Sequence, residues 1–372
     1  MKKKAVDALA VEGLQLFAEP STPKTATYYN LPDSPASNLI MDTISAGKDI
    51  GDLPARRKQV SRGTRYEVLE NGKSRQINLS NRTESITLEL PDIDKFSGSN
   101  KAAKKMFTLT LIKANEQAIH NGKLDRDCVS FPLQELVTLG MYSNIRSARK
   151  GFNDGIGSLT DIKIGGKMNI GKKNQVEIIG MHPFRYGKIE RGQCYVYLEP
   201  DYNWAAITQY FTVIPQYYFC LPSNASDLLY YICYLARQNV RDLAERGYFT
   251  ISMKAVQQKL CLPNEVGCRN QTQLIRKPIE DAVATIQSSQ KATLDQEGLR
   301  LEIVANPSMS VTDFLRNGYL KVFMSGTFAE KFIELNEKRE AMIEAKNQQR
   351  QRITENAAAI RMAKGGSCNE KS

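Results

Sequence analysis

The chain is poor in the residues that carry most protein chemistry. It has two histidines, His120 and His182, and one tryptophan in 372 residues. No H-x-H pair exists, so the metal-bound cluster beside a nucleophilic tyrosine that a rolling-circle nicking enzyme needs is excluded. The seven cysteines (Cys128, Cys194, Cys220, Cys233, Cys261, Cys268 and Cys368) are odd in number and scattered, mostly inside apolar runs. That usage suits reduced thiols in a cytoplasm rather than a disulfide framework. Cys261 and Cys268 lack the second Cys/His pair that a zinc site requires. No stretch approaches the roughly twenty apolar residues of a membrane span. The opening MKKKAVDALAVEGLQLF has the basic start of a signal peptide, but Asp7 and Glu12 interrupt its apolar run. The segment GKMNIGKK (166–173) fits G-x-x-x-x-G-K, yet it places Lys173 where a Mg²⁺-binding Ser or Thr belongs and lies between strands rather than before a helix. No catalytic residue, cofactor or metal site is expected, and the reading is of a cytoplasmic protein that is not an enzyme.

What is present is positive charge. The net charge is +11 with a pI near 9.2, against 41% apolar and 24% charged residues. That balance belongs to a globular protein with a polyanionic partner. Residues 144–191 hold ten Lys and Arg (146, 149, 150, 163, 167, 172, 173, 185, 188, 191) and four acids (154, 161, 177, 190), a net +6 within 48 residues.

The chain also repeats itself. RKGFNDGIGSL (149–159) and RKPIEDAVATI (276–286) align with an offset of 127. Arg149, Lys150 and Asp154 fall on Arg276, Lys277 and Asp281, and Phe152, Ile156 and Leu159 fall on Ile279, Val283 and Ile286. The flanks repeat as well. KAAKKMFTLTLIKANEQAIHNG, CVSF, PLQELVTL and IRSARKGFNDGIGSL read as helix, strand, helix and helix, with Pro132 at a first turn. DLLYYICYLARQNVRDLAERG, FTI, SMKAVQQKL and NQTQLIRKPIEDAVATI repeat that order, with Ser252 as an N-cap. The strands DIKI and QVEII, joined by GGKMNIGKKN, and then CYVYLEP are expected to complete the first unit. LRLEIVA and GYLKVFM complete the second.

Helix, strand, helix, turn, helix and β-ribbon is the winged helix-turn-helix order. The expected fold class is therefore α+β, with two tandem winged helix-turn-helix domains. Residues 1–63 are expected to be a disordered N-terminal arm, ending in the basic run ARRKQVSRGTR that suits either a phosphate contact or a solvated linker. Residues 64–210 are the first domain, opening on a hairpin with a type I′ turn at Asn71-Gly72. Residues 211–330 are the second domain, and 331–372 a C-terminal charged helical tail. Phe328, Phe332 and Leu335 are spaced to pack back onto the second domain. The aromatic group Tyr217, Tyr218, Phe219, Tyr230, Tyr231 and Tyr234 is read as core packing rather than as a stacking platform for single-stranded bases.

A helical wheel puts Ile145, Ala148, Phe152, Ile156 and Leu159 in the buried stripe of the first second helix. Ser143, Ser147 and Lys150 point away, with Arg146 on the flank, and these are candidates to reach base edges in a major groove. Arg149 lies nearer the stripe, a position for a phosphate contact or a brace. In the second unit the outward positions are Asn270, Gln273 and Lys277, and Asn and Gln favour adenine. Adding Asn144, Arg276 and the ribbon lysines Lys167, Lys172 and Lys173 completes the expected DNA-binding set. Gly151 and Pro278 mark places where either helix bends or restarts.

The tandem plan, with LIRKPIEDAVATI in its second unit, resembles the iteron-binding plasmid replication initiators. The carrying residues are Ile275, Arg276, Pro278, Ile279, Glu280, Ala282, Val283 and Ile286, and the resemblance spans roughly residues 64–330. It implies a bacterial, plasmid- or nucleoid-associated protein that binds direct repeats in double-stranded DNA at an origin. It also implies opening of a neighbouring A·T-rich segment, recruitment of a host initiator and helicase, and a monomer–dimer equilibrium. The rival reading is a winged-helix transcriptional regulator of mobile-element genes, which reads a palindrome as a two-fold dimer. A structural or segregation adaptor would show weak sequence preference.

Overall fold

The computed structural model describes residues 28–46, 65–80, 85–94, 100–121, 127–170, 174–200, 210–266, 268–292 and 298–337, with 340, 341, 344 and 348 beyond. Most of the basic run at 55–65, and Lys172 and Lys173, lie outside the described residues.

Two units are built to one plan. In the first, helix α2 (Asn100–Asn121) is followed by strand β5 (Cys128–Pro132) and the helices α3 (Leu133–Thr138) and α4 (Ile145–Thr160). The hairpin β8 (Phe184–Glu190) and β9 (Gln193–Leu198) then closes a three-stranded sheet in the order β5-β9-β8. In the second, α5 (Ser223–Gln238) and α6 (Val240–Arg246) precede β11 (Tyr248–Ser252) and α7 (Met253–Lys259). A π-helical turn (Thr272–Arg276) leads into α8 (Lys277–Ala292), and β12 (Leu299–Val304) and β13 (Tyr319–Met324) form the sheet β11-β13-β12. In both sheets the first strand pairs with the last and the middle one sits at the edge. The repeat is thus one of topology as well as of residues. Phe152, Ile156, Leu159, Ile279, Val283 and Ile286, the apolar matches of the two segments, are all buried.

The units differ by what is inserted. In the second, a short helix α9 (Val311–Asn317) interrupts the closing hairpin. In the first, the ribbon β6 (Lys163–Ile170) and β7 (Asn174–Met181) stands between α4 and β8. That ribbon does not join the small sheet beside α4, as expected of it. It extends another sheet, β2-β3-β4-β6-β7, begun by β2 (Arg65–Asn71), β3 (Ser74–Ser80) and β4 (Ser85–Leu90). The reason lies in β4, whose Ile86, Leu88 and Leu90 alternate with solvated positions and whose backbone would otherwise be an open edge. β6 pairs with it from Ser85↔Lys167 to Glu89↔Lys163. At the bulge in β6, Gly166 has φ +103 and its Cα lies so close to the Ser85 carbonyl that no side chain fits. The β2–β3 turn is also displaced by one residue from the expected Asn71-Gly72. Asn71 pairs with Ser74, leaving Gly72-Lys73 as the loop. Only Gly72 has positive φ there (+59), which is the arrangement with Gly first rather than a type I′ turn.

The expected disordered arm is corrected over residues 28–46. Strand β1 (Tyr28–Asp33) pairs antiparallel with β10 (Tyr210–Pro215), and α1 (Pro35–Ala46) buries Leu39, Ile40, Met41 and Ile44. Ser34 accepts from the Ser37 amide at 3.0 Å, an N-cap followed by Pro35 at the first helical position. α1 packs on α2 and reaches the second unit. Asn38 accepts from Tyr230 Oη at 2.8 Å, and Ser45 donates to Asp227 at 3.0 Å. Asp42 pairs with Lys259 at 2.8 Å, and Asp227 also takes Lys104 of α2. The segment thus binds the two units together.

The aromatic group does pack internally. Tyr217, Tyr218, Phe219, Tyr230 and Tyr231 are buried. Phe328 and Phe332, in the helical stretch 326–337, are buried too, with Tyr28 stacked on Phe328 at 5.1 Å. Among the described residues no helix is long and apolar enough to cross a membrane.

Candidate nucleic-acid interface

Helix α4 owes its start to a capping box. Asn144 accepts from the Ser147 amide at 2.9 Å, and the Asn144 amide donates back to Ser147 Oγ at 3.3 Å. Asn144 Nδ2 also donates to Ser143 Oγ at 3.2 Å. These three residues, expected as readers, are therefore tied into the helix start, where they fix the direction of α4.

The buried side of α4 is centred further round than the wheel placed it, because its contact with α2 is made through small residues. A side chain at Gly155 would meet Met106 and the Ala102 backbone at 2.6–2.8 Å, so the helices touch closely there, and Ala148, Gly151, Phe152, Gly155 and Leu159 are all buried. Gly151 is covered by the Tyr142 ring, and burial pushes the Tyr142 hydroxyl up to about 12. Two consequences follow for the outer side. Arg146, Arg149, Lys150 and Asn153 all stand exposed on one face, and Arg149 also lies near enough to the buried Cys194 for its charge to act on that thiol. Ile145, expected in the buried stripe, is 41% exposed.

β8 lies across α4, with Gly187 leaving room for Ile156 and Phe152. The hairpin turns at Arg191 (φ 50) and Gly192 (φ 78), the two positive-φ positions of a type I′ turn. It therefore presents Arg185, Lys188 and Arg191, all exposed, beside the helix. Lys188 sits over the Tyr195 ring at 5.1 Å, and Tyr186 stacks on Tyr197 at 4.2 Å. Of the ribbon lysines, Lys167 is exposed on β6, in the other sheet, while Lys172 and Lys173 lie outside the described residues. Next to α4 a groove of about 440 Å³ opens between the starts of α2 and α5, with Lys101, Lys105, Lys150 and Asp154 among its walls. Burial lowers the Lys105 pKa from its ordinary value.

In the second unit the corresponding helix begins with the π-helical turn. Pro278, which has no amide hydrogen to give, follows the turn, and regular α-helix starts at Lys277. The expected restart is found there. Asn270, Gln273 and Lys277 are exposed, with Leu274, 47% exposed, among them. Arg276 turns inward. It donates to Glu280 at 2.8 Å and to the Pro307 carbonyl at 3.0 Å, and lies over the Phe314 ring at 5.0 Å. It ties α8 to the inserted α9, while its partner in the repeat, Arg149, faces solvent. We expect Arg276→Ala to lower the stability of the second unit by about 1–3 kcal/mol, chiefly through lost charge-assisted hydrogen bonds. Urea denaturation measures this, and an unchanged salt dependence of duplex binding would separate the brace from a phosphate contact. On the second hairpin Arg300 lies 3.8 Å from the centre of the Phe323 ring and Lys321 4.0 Å from that of Tyr248. Cations held on rings are thus common to both small sheets, a feature that a residue-by-residue reading missed because its partners are distant in sequence.

Among the described residues no group of three or more His, Cys, Asp or Glu is placed to hold a metal ion. Burial pushes the Cys194 thiol up to about 12 and raises that of Cys233 as well, which leaves both as unreactive core groups.

The sequence matches no protein-family model and no curated protein. Among solved structures, the chain is similar to the crystal structure of RctB domains 2-3, with 10% identity and a TM-score of 0.38, over 71% of this chain and 92% of that one. It is likewise similar to the selenomethionine derivative of the same two domains, with 10% identity and a TM-score of 0.37, over 71% of this chain and 91% of that one.

Proposed function

We propose that this chain is a sequence-specific duplex-DNA-binding replication initiator, whose two units are winged helix-turn-helix modules reading adjacent major-groove faces of one repeat. The observation that carries the reading is the twice-built unit, each with the second helix of its pair laid open to solvent beside a cation-bearing hairpin. In the first unit, Arg146, Arg149 and Lys150 supply base and phosphate contacts, Arg185, Lys188 and Arg191 follow the neighbouring backbone, and the Lys101–Lys105 groove continues that path. In the second, Asn270, Gln273 and Lys277 face the groove with less charge and more amide, which suits adenine.

The initiator role rests on the resemblance of LIRKPIEDAVATI and the tandem plan to the iteron-binding proteins. In this reading several bound copies deform the origin, and the deformation energy comes from repeated binding rather than from ATP hydrolysis or any catalytic step. Recruitment of a host initiator and helicase, and a monomer–dimer balance, belong to the same proposal.

DNase I footprinting on the DNA flanking the protein's own gene tests it. Several protected direct repeats are the expected result. One protected palindrome would replace the initiator with a transcriptional regulator. Absence of protection at low salt would remove the DNA-binding reading altogether.

A further inference from the structure

Two large apolar side chains stand where a DNA-reading face would be expected to carry polar groups. Ile145, 41% exposed, opens α4, and Leu274, 47% exposed, lies in the turn that opens the second reading helix. Exposed apolar residues are ordinary when scattered, and Leu69, Ile179 and Val266 are such cases elsewhere in this chain. The first two differ in where they stand and how they are held. Ile145 directly follows Asn144, the N-cap of the Asn144–Ser147 capping box, and lies one turn from Arg149. Leu274 is fixed by its amide donating to the Asn270 carbonyl at 2.9 Å, and it is flanked by Gln273 and, three residues on, Lys277. Neither can retreat inward, since Ala148 and Phe152 already fill the space beneath one helix and Ile275 and Ile279 that beneath the other.

A major groove offers an apolar side chain one apolar partner on its floor, the 5-methyl group of thymine. Resting on the DNA-binding reading above, we infer that Ile145 and Leu274 are specificity-determining residues, each reading a thymine methyl in the subsite of its own unit. The two kinds of contact reinforce each other in the second unit. An A·T pair shows the adenine N6/N7 edge to Asn270 or Gln273 and the thymine methyl to Leu274 across the same groove.

The test alters the DNA rather than the fold. Binding sites are selected from a randomised duplex library with the intact chain, and the thymines of the selected site are then replaced one at a time by uracil. Uracil lacks only the methyl and keeps its pairing edge. At one thymine in each subsite uracil is expected to weaken binding about fourfold, the factor that about 0.8 kcal/mol per buried methyl group gives. Ile145→Ala should abolish that sensitivity in the first subsite and Leu274→Ala in the second, with specific binding retained. Affinity indifferent to uracil at every position would overturn the inference and leave specific DNA binding standing. Sensitivity that persists in both alanine variants would overturn the assignment to these residues. A library that yields no enriched sequence would instead bring down the DNA-reading function itself.

Discussion

Removing the charges of Arg146 and Lys150 together should weaken binding to a selected duplex about a hundredfold at about 0.1 M salt. Both side chains are exposed on α4, and the helix start is fixed by a capping box they do not enter, so the double alanine variant should fold as the parent does. The salt dependence says what each charge does. Loss of phosphate contacts lowers the slope of log affinity against log salt by roughly one for each contact. Loss of guanine contacts leaves the slope and lowers only the preference over random duplex. Fluorescence anisotropy titrations between about 50 and 200 mM salt resolve the two cases. Lys167→Ala is the informative comparison. Its strand belongs to the sheet containing β4 rather than to the hairpin beside α4, so its effect should stay below about threefold, less than one lost contact gives. A larger loss from Lys167 than from Arg146 and Lys150 would move the interface to the β6–β7 ribbon.

That contrast marks where the sequence was legible and where it was not. The paired segments at 149 and 276 are local signals, and a 3.6-residue apolar period survives any tertiary arrangement. Phe152, Ile156 and Leu159 and their counterparts are accordingly buried as the pattern required. Strand partners are not local. DIKI and QVEII read as two strands, but GGKMNI, expected as loop, continues the first as far as Ile170, and nothing within them says whether β9 or β4 is their neighbour. The answer depends on β4 needing its edge covered. The wheel erred at Ile145 for a related reason. Hydrophobicity located the stripe, whereas the close approach of α2 at Gly155 located the contact, and glycine carries no hydrophobic signal. Residues 28–46 were missed through composition, since a short Ser- and Pro-rich stretch resembles a linker. Yet Ser34-Pro35 ahead of Leu39, Ile40 and Ile44 is a helix start that a search for caps would have found. Arg276 could not have been read from its own segment, because the groups it braces, Pro307 and Phe314, lie over thirty residues away.

The same helix α1 supports the second large prediction. Lys259, the last residue of α7, meets Asp42 with side chains only 7% and 8% exposed, and lies over the rings of Tyr230 and Tyr231 at 5.3 and 5.8 Å. Lys259→Met keeps the length and removes the charge, leaving the Asp42 carboxylate buried without its cation. Breaking a buried pair in this way costs about 3–5 kcal/mol. Removing both charges, as in Asp42→Leu with Lys259→Met, should recover most of the loss, because neither desolvated ion then remains. Urea denaturation of the two variants gives the comparison, and a Lys259→Met chain as stable as the parent would show that the pair contributes nothing. Because Asp42 and Lys259 join the segment that binds the two units together to the second of them, the single variant should also unfold in two steps where the parent unfolds in one. The consequence for DNA follows from geometry. Two reading helices held at a fixed separation bind a composite site as one event, whereas loosened units pay for the second contact through a lower effective concentration. Lys259→Met should therefore weaken binding to the complete site about tenfold while leaving the affinity for either subsite alone unchanged, a pattern that loss of a direct DNA contact would not produce.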